Sequence, residues 1–414
     1  MSKKTAIIIT LAATILAVVG LVAWYLFLSP QNNLGGESGI NKLISTFFPA
    51  GEQTVDNRQE TIDKTAETDK EKIDPNEGQP APAIREISPN PVAGFVIVED
   101  KKSSTTVRYM ESETGHIYSA LLATISKKRL TNTTIPKVRE AIFLPNGEKL
   151  IARYLDEDNV SIKSFAGTIN LPKTEAGLFI EGELQGEFLV DDIVDITATN
   201  AEKIFYTIVE NGGAAGIIAN SNGSKPARVF SSPIREWLPQ WAGDNLYLAT
   251  KASSNAPGHL FKINTSNGSQ TKIIGSIFGM TTNVNPKNTD IIYSDGSLKL
   301  KSYNLKTKKI SELALQTLAE KCAWEDSSDV VIYCGIPNNM ESGEHPDDWY
   351  KGLVGFKDDL WRMNLTTGEI TFIAQFDKVS DKPIDIINPK VSKDGNYLVF
   401  TNKNDLSLWS VRVR

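Results

Sequence analysis

The stretch VSKDGNYLVFT, residues 391–401, decides the fold of this chain because it joins a polar turn to a short apolar strand. Asp394 and Gly395 are typical turn residues, since aspartate hydrogen-bonds nearby backbone and glycine adopts a positive φ without steric cost. The LVF run that follows is typical of a buried strand. The stretch therefore predicts one half of a repeating β unit.

The same turn-and-strand pattern occurs six times in the second part of the chain. The other copies are FLPNGEKLIARY at Phe143, TATNAEKIFYTI at Thr197, QWAGDNLYLAT at Gln240, VNPKNTDIIYS at Val284 and AWEDSSDVVIYC at Ala323. Matching second halves begin at Val107, His259, Leu300 and Asp359. The one at Val107 follows the strand GFVIVED and indicates a seventh unit before the six.

A unit of three or four strands cannot cover both of its own faces, so neighbouring units must stack on one another. Closing the row into a ring protects the remaining strand edges. We therefore expect an all-β, seven-bladed β-propeller over residues 85–414, with six or eight blades as alternatives. A sandwich of two sheets would not need a unit that repeats at about 40 to 55 residues. The last unit ends after its third strand, and we expect residues 83–87 to supply the fourth.

The N-terminus predicts a membrane anchor. Residues 6–28 are uncharged and would form a helix of about 34 Å, enough to cross a hydrocarbon core of about 30 Å. Lys3 and Lys4 precede this helix and the next basic residue is Lys42, so residues 1–5 should be cytoplasmic and the rest extracytoplasmic. A cleaved signal peptide is the alternative, although its apolar region would span only about 7 to 15 residues.

Two connecting segments separate the anchor from the repeats. Residues 29–50 include INKLISTFFPAG, whose apolar residues at helical spacing predict a short amphipathic helix or a partly ordered tether. Residues 51–84 nearly lack large apolar residues, so they predict a flexible linker, rich in acids and proline. The formal net charge of -6 gives no concentrated basic face, and we expect no nucleic-acid partner.

The units SKDGNYLVF and LPNGEKLIA resemble the WD40-like repeat of the TolB type. The whole arrangement, with INKLISTFFPAG, ETGHIY, CAWEDSSDVVIYC and HPDDWYKG, is similar to uncharacterised membrane-anchored propeller proteins of candidate-phylum bacteria. This resemblance implies a β-propeller at the bacterial cell membrane. It implies no particular activity.

Cys322 and Cys334 flank the predicted turn of one hairpin at equal distances, which places them opposite each other. Opposed residues in a non-hydrogen-bonded pair have Cα atoms about 4.5 Å apart, within the range of a disulfide. An extracytoplasmic position permits oxidation. Two buried free thiols are the alternative.

The stretch ESGEHPDDWYKG, residues 341–352, interrupts the strand pattern within a long connection between the second and third strands of its unit. Its candidate binding residues are Glu344, His345, Asp347, Asp348, Trp349 and Tyr350. The spacing matches neither a calcium loop nor a zinc motif, so we expect no metal site. The aromatic pair either forms an exposed contact surface or folds back to cover the core of the blade.

The chain has no Gly-x-Ser-x-Gly elbow, phosphate loop or His-Glu-x-x-His motif, so we assign no catalytic residue and no cofactor. The expected function is a non-enzymatic binding platform in the bacterial envelope, with another envelope protein or a surface polysaccharide as its partner. One alternative is a propeller-type glycosidase or lyase that uses Asp347, Asp348 or His345. A structural subunit of an envelope assembly, with residues 40–49 as its contact, is another.

Overall fold

The structure, a computed structural model, describes residues 76–99, 104–172, 179–199, 202–328, 330–340 and 342–414. These residues form seven four-stranded antiparallel sheets, which confirms the predicted all-β propeller with seven blades. The predicted segments 1–5, 6–28 and 29–50 lie outside the described residues, as does most of the linker. Within the described ranges, no helix has the length and apolar character needed to cross a membrane.

In blades 1 to 6 the strands follow the chain from the axis outward, whereas in blade 7 the first strand of the chain is the outermost. Blade 1 consists of β2 (Val92–Glu99), β3 (Thr105–Glu111), β4 (Ile117–Leu121) and β5 (Lys127–Arg129); blade 2 of β6 (Val138–Phe143), β7 (Lys149–Leu155), β8 (Ile162–Asn170) and β9 (Glu183–Phe188). Blade 3 consists of β10 (Ile193–Ala198), β11 (Lys203–Glu210), β12 (Gly213–Asn220) and β13 (Ala227–Ser232); blade 4 of β14 (Trp237–Ala242), β15 (Asn245–Thr250), β16 (Pro257–Ile263) and β17 (Gln270–Phe278). Blade 5 consists of β18 (Thr281–Val284), β19 (Asp290–Ser294), β20 (Lys299–Asn304) and β21 (Ile310–Gln316); blade 6 of β22 (Cys322–Trp324), β23 (Val331–Pro337), β24 (Asp358–Asn364) and β25 (Ile370–Ala374). Blade 7 consists of β26 (Ile386–Val391), β27 (Tyr397–Asn402), β28 (Leu408–Arg412) and β1 (Ile84–Ser88). A 3-10 turn, Ala319–Lys321, precedes β22, and a short helix, α1 (Asp347–Tyr350), lies between β23 and β24.

The core lies between neighbouring blades, because side chains of a strand alternate between the two faces of its sheet. In β11, Tyr206 packs with Ile151 of blade 2, whereas Phe205 packs with Trp237 of blade 4. Both side chains are buried. Each sheet therefore needs a neighbour on both sides, which is the physical reason that the repeats form a ring.

The innermost strands approach closely around the axis. A Cβ atom on Gly94 of β2 would lie 1.9 Å from the carbonyl oxygen of Ala141 in β6. Only glycine fits where two backbones come this near.

The ring closes through pairing of the first strand with the last. In blade 7, β1 is the outermost strand and pairs with β28, with Ile84 opposite Val411. The Arg412 N–H also donates to the Ala83 carbonyl at 2.7 Å. The prediction that residues 83–87 complete the last blade is therefore confirmed.

Contacts of the ring begin before the predicted boundary at residue 85. The Gly78 N–H donates to the Ile125 carbonyl at 2.7 Å, and the Ala81 N–H donates to the Ala123 carbonyl at 2.9 Å. Residues 78–81, which the polar composition assigned to the linker, thus lie against the last turn of blade 1. Backbone hydrogen bonds hold this segment, so it needs no apolar core of its own.

The connections of the blades define two faces. We call the upper face the one that carries the connections between blades and those between second and third strands. The lower face carries the other turns. The long connection in blade 6, residues 338–357 between β23 and β24, therefore lies on the upper face.

Candidate functional site

The long connection of blade 6, which we call the strap (residues 338–357), crosses blade 5 and reaches blade 4. Its Asp347 carboxylate accepts a hydrogen bond from the Ser254 N–H of blade 4. Nearby, the Asn255 side chain donates to Glu344 at 3.1 Å. A Cβ on Gly279, between blades 4 and 5, would lie 2.8 Å from the His345 carbonyl oxygen. The strap is therefore packed onto the ring.

The strap is also fixed internally. Asp348 Oδ2 accepts a hydrogen bond from the Glu344 N–H at 2.9 Å, and the Leu353 N–H bonds the Asp348 carbonyl at 2.9 Å. His345 is buried, and its ring centroid lies 5.5 Å from that of Phe356. The four polar residues of the predicted site thus have structural partners.

Trp349 is the centre of a small apolar core beneath the strap. It is 4% exposed and packs with Leu298, Leu318, Val354 and Phe356. Its Nε1 donates to Asp385 Oδ2 at 2.9 Å. A buried tryptophan usually finds such a partner for its N–H group.

Tyr350, the next residue, turns toward blade 6. Its hydroxyl donates to Glu320 Oε1, on the 3-10 turn before β22. Burial and the nearby Glu320 carboxylate raise the pKa of Tyr350, and burial raises the pKa of Glu320. Trp349 and Tyr350 therefore do not form the exposed aromatic surface that was one prediction from the sequence. They cover the core, which was the alternative.

Below Trp349 lies a buried ionic cluster of Lys321, Asp358 and Asp385. Lys321 Nζ is 2.7 Å from Asp358 Oδ2 and also contacts Asp385 Oδ1, and all three side chains are 0% exposed. The backbone supports both acids, since the Ile386 N–H donates to Asp358 at 2.7 Å and the Phe356 N–H donates to Asp385 at 3.0 Å. One ammonium group therefore balances the charge of only one of two carboxylates, both of which accept backbone hydrogen bonds.

The second carboxylate makes the cluster sensitive to protonation. Burial raises the pKa of Asp358 to about 6, against the lowering effect of Lys321 and with a further increase from Asp385. Desolvation disfavours the charged form of any buried acid. Asp358 therefore takes up a proton at a higher pH than an ordinary aspartate does.

Sequence reasoning did not find this cluster. Lys321 precedes β22, Asp358 begins β24 and Asp385 precedes β26, so the three residues are far apart in the chain. The only signal was the presence of charged residues at the ends of otherwise apolar strands. Their convergence depends on how blades 6 and 7 meet.

The two cysteines lie beside the cluster. Cys322 follows Lys321 directly and is paired in register with Cys334, as the hairpin prediction requires. Their Cα atoms are 4.0 Å apart and a disulfide joins them. Both are buried in the core between blades 5 and 6.

A second set of ionisable residues lies near the axis in blades 2 and 3. Arg153 donates to Glu140 at 2.7 Å and to the Ile193 carbonyl at 2.8 Å. Burial and the charge of Glu140 raise the pKa of Asp195, on β10, to about 7. Asp195 can therefore gain or lose a proton near neutral pH. Among the described residues, no group of three or more His, Cys, Asp or Glu could hold a metal ion.

Comparisons with known proteins concern the fold. No protein-family model matches the chain, and no curated protein matches it either. Solved structures that are similar include an oligogalacturonate lyase in complex with manganese, at 11% identity and a TM-score of 0.51, covering 82% of this chain and 95% of that one. The β-propeller domain of the trilobed protease from Pyrococcus furiosus has 10% identity and a TM-score of 0.48, covering 78% of this chain and 95% of that domain. The tricorn protease has 15% identity and a TM-score of 0.36, with 75% of this chain covered and 28% of the protease. Identities this low establish similarity of fold alone. The chain is thus similar to these solved structures in its fold.

Proposed function

We propose that this chain holds its propeller outside the bacterial cell membrane, on one N-terminal anchor, as a non-enzymatic platform that binds other envelope proteins. The uncharged segment 6–28, preceded by Lys3 and Lys4, supports the anchor and its orientation. The resemblance to membrane-anchored propeller proteins supports the bacterial envelope as the location. A surface polysaccharide is the other partner class.

One observation carries the non-enzymatic part of the proposal. Lys321, Asp358 and Asp385 form an ionic group whose side chains are all fully buried beneath the strap. A substrate needs contact with the reacting groups, and Trp349 with Phe356 closes this site. The cluster therefore serves the rigidity of the upper face. A rigid surface loses little conformational entropy on binding, which favours a platform.

Capture of the full-length chain from cross-linked native membranes tests the platform. We expect the same envelope proteins in repeated captures, with cross-links to lysines of the propeller. Added protease should digest the propeller in intact cells whose outer layers are permeable to it. Capture without any protein partner, but with retained sugar, would favour the polysaccharide instead. Protection from protease until the membrane is broken would place the propeller inside the cell and refute the proposed location.

A second candidate is a carbohydrate-active enzyme of the glycosidase or lyase type. The favouring observation is the pair Glu140 and Asp195, because Asp195 has a pKa of about 7 and lies on an inner strand. Purified chain would be incubated with polygalacturonate, and the ultraviolet absorbance of an unsaturated product would be followed. Product formation that is lost in Asp195→Asn would establish this candidate. If the chain is a non-enzymatic platform, neither the unmodified chain nor Asp195→Asn should form product.

A further inference from the structure

The outer strand of blade 2 is an exposed sheet edge. The sheet runs β6, β7, β8, β9, and every residue of β9 except Leu184 is exposed. Among the described residues, the connection from blade 1 covers only the start of this edge. There the Gly182 N–H donates to the Leu130 carbonyl at 2.8 Å, and the Leu184 N–H donates to Thr133 Oγ1 at 2.8 Å.

The register shows which backbone groups lie along the edge. The Leu189 N–H donates to the Ser164 carbonyl of β8, so odd-numbered residues of β9 bond inward. Even-numbered residues bond outward, as Leu184 does toward Thr133. Because antiparallel pairing alternates in this way, Gly186 and Phe188 turn their N–H and carbonyl groups to the outer edge. An added strand would find backbone partners there.

The side chains alternate with the same period. On the side toward blade 1, Phe188 is 51% exposed and Val190 is 52% exposed. On the other side, Glu183, Glu187 and Asp191 are exposed. The strand and its continuation therefore present an apolar row and an acidic row.

The neighbouring hairpin tip, between β7 and β8, also exposes both apolar and acidic side chains. Val160, between β7 and β8, is 80% exposed, and it follows the exposed acids Glu157 and Asp158. Two bases lie nearby: Lys163 is paired with Asp191 at 2.9 Å, and Lys137 donates to Asn159 Oδ1 on the same tip. The uncompensated charge of this surface is negative, so it attracts a cationic partner and repels acidic polymers and anionic lipid.

We propose that this edge binds, by addition of a strand, an extended segment of a partner protein in which Lys or Arg alternates with aliphatic residues. The partner backbone pairs with Gly186 and Phe188, its aliphatic side chains cover Phe188 and Val190, and its basic side chains meet Glu187. Strand addition obtains affinity from the backbone and specificity from alternate side chains. The proposal rests on the platform function and names the chemistry of its partner.

The test measures fluorescence anisotropy of a labelled peptide of alternating lysine and valine, about six residues long, with the full-length chain. We expect saturable binding that weakens about tenfold or more in Phe188→Ser and in Glu187→Lys. A peptide of alternating glutamate and valine should not bind. The matched control is Phe372→Ser. Phe372 lies on the outer strand β25 and is 48% exposed. Its ring centroid lies 5.2 Å from that of Trp361, much as the ring centroid of Phe188 lies 5.3 Å from that of Phe165. This control should bind the peptide like the unmodified chain.

Absent peptide binding would overturn the proposal, and so would equal loss in Phe372→Ser or equal binding of the glutamate peptide. A dimer in size-exclusion chromatography that Phe188→Ser dissociates would identify a second copy as the occupant, which also overturns it. Capture from membranes separates this failure from failure of the platform. If Phe188→Ser still captures the same proteins, the platform stands and this edge is not the contact.

Discussion

The strap and the outer strand of blade 2 both combine aromatic with acidic residues, but they bury them to opposite degrees. Trp349 is enclosed by the strap and bonded to Asp385, whereas Phe188 rests on Phe165 with half of its surface exposed. The difference comes from the neighbours. The strap lies across blades 4 and 5, whereas blade 1 offers β9 an outer strand of only three residues, Lys127–Arg129. Exposure is therefore decided by the adjoining blades, and composition alone does not reveal it.

The largest expected loss of stability concerns the buried ionic cluster beneath the strap. Lys321→Ala leaves Asp358 and Asp385 buried without a cation, and we expect a loss of about 3 to 5 kcal/mol in the free energy of unfolding. Chemical denaturation at neutral pH measures it. The control is Lys382→Ala, which removes an exposed ion pair to Asp405 and should change the stability little, because solvent screens such pairs. If both variants lose the same small amount, the cluster does not stabilise the strap side.

The disulfide beside Lys321 gives the next effect. It closes a short loop, with a sequence separation of 12, and the chain-entropy model assigns such a bridge about 3 kcal/mol. The double variant Cys322→Ala, Cys334→Ala should lose about this amount in chemical denaturation. A reductant should weaken the unmodified chain and leave the double variant unchanged. Equal stability of the two proteins under oxidising conditions would contradict the prediction.

The stability of the cluster beneath the strap should depend on pH through Asp358. Its pKa is raised from 3.8 to about 6 in the folded chain, so the folded state binds the proton more tightly than the unfolded state. The resulting stabilisation is complete below pH 3.8 and is lost as the pH rises through about 6. Each pKa unit corresponds to about 1.4 kcal/mol.

Asp358→Asn removes this titration and keeps the pair of Lys321 with Asp385. Relative to the variant, the unmodified chain should therefore lose about 1 to 3 kcal/mol between pH 4 and pH 7. Chemical denaturation of both proteins across this range measures the difference. Parallel curves would mean that Asp358 does not titrate in this window.

The smallest expected loss of stability concerns Phe188 on the outer strand of blade 2. Phe188→Ser removes a half-exposed ring and should cost under about 1 kcal/mol, since surface substitutions are mild. Phe165→Ala removes the buried partner of the same aromatic pair, and should cost about 3 to 5 kcal/mol. Thermal or chemical unfolding of the two variants gives the comparison. Similar losses would show that Phe188 is as important to the core as Phe165, and would weaken the case for a docking edge.

The fold was readable from the sequence because its signal is local and repeated. Turns such as KDG at residues 393–395 followed by apolar strands occur in each unit, and a ring is the arrangement that buries all of them. Closure by residues 83–87 followed from a last unit that lacked one strand. The pairing of Cys322 with Cys334 followed from their equal distances to the turn of one hairpin.

The burial of the site beneath the strap could not be predicted from the sequence, because the residues that pack there come from separate blades. Trp349 sits in a loop for which the sequence left exposure and burial of the aromatic pair open, and Leu298, Leu318 and Asp385 enclose it from blades 5 to 7. The exposed edge of blade 2 was missed for the converse reason. The segment ELQGEF, residues 183–188, carries one aromatic residue and no unusual motif. Its exposure depends on the shortness of β5 in another blade.

The pairing of β1 with β28 has a consequence for biosynthesis. The ribosome releases β1 before the other strands of any blade, and β28 is the last strand of the ring to emerge. Until then β1 has no partner and the growing row of blades has two open ends, which are sites for aggregation and proteolysis. A chain that terminates early, before β28, cannot hide these edges. Cellular quality control can therefore distinguish it from a closed ring by exposed strands alone.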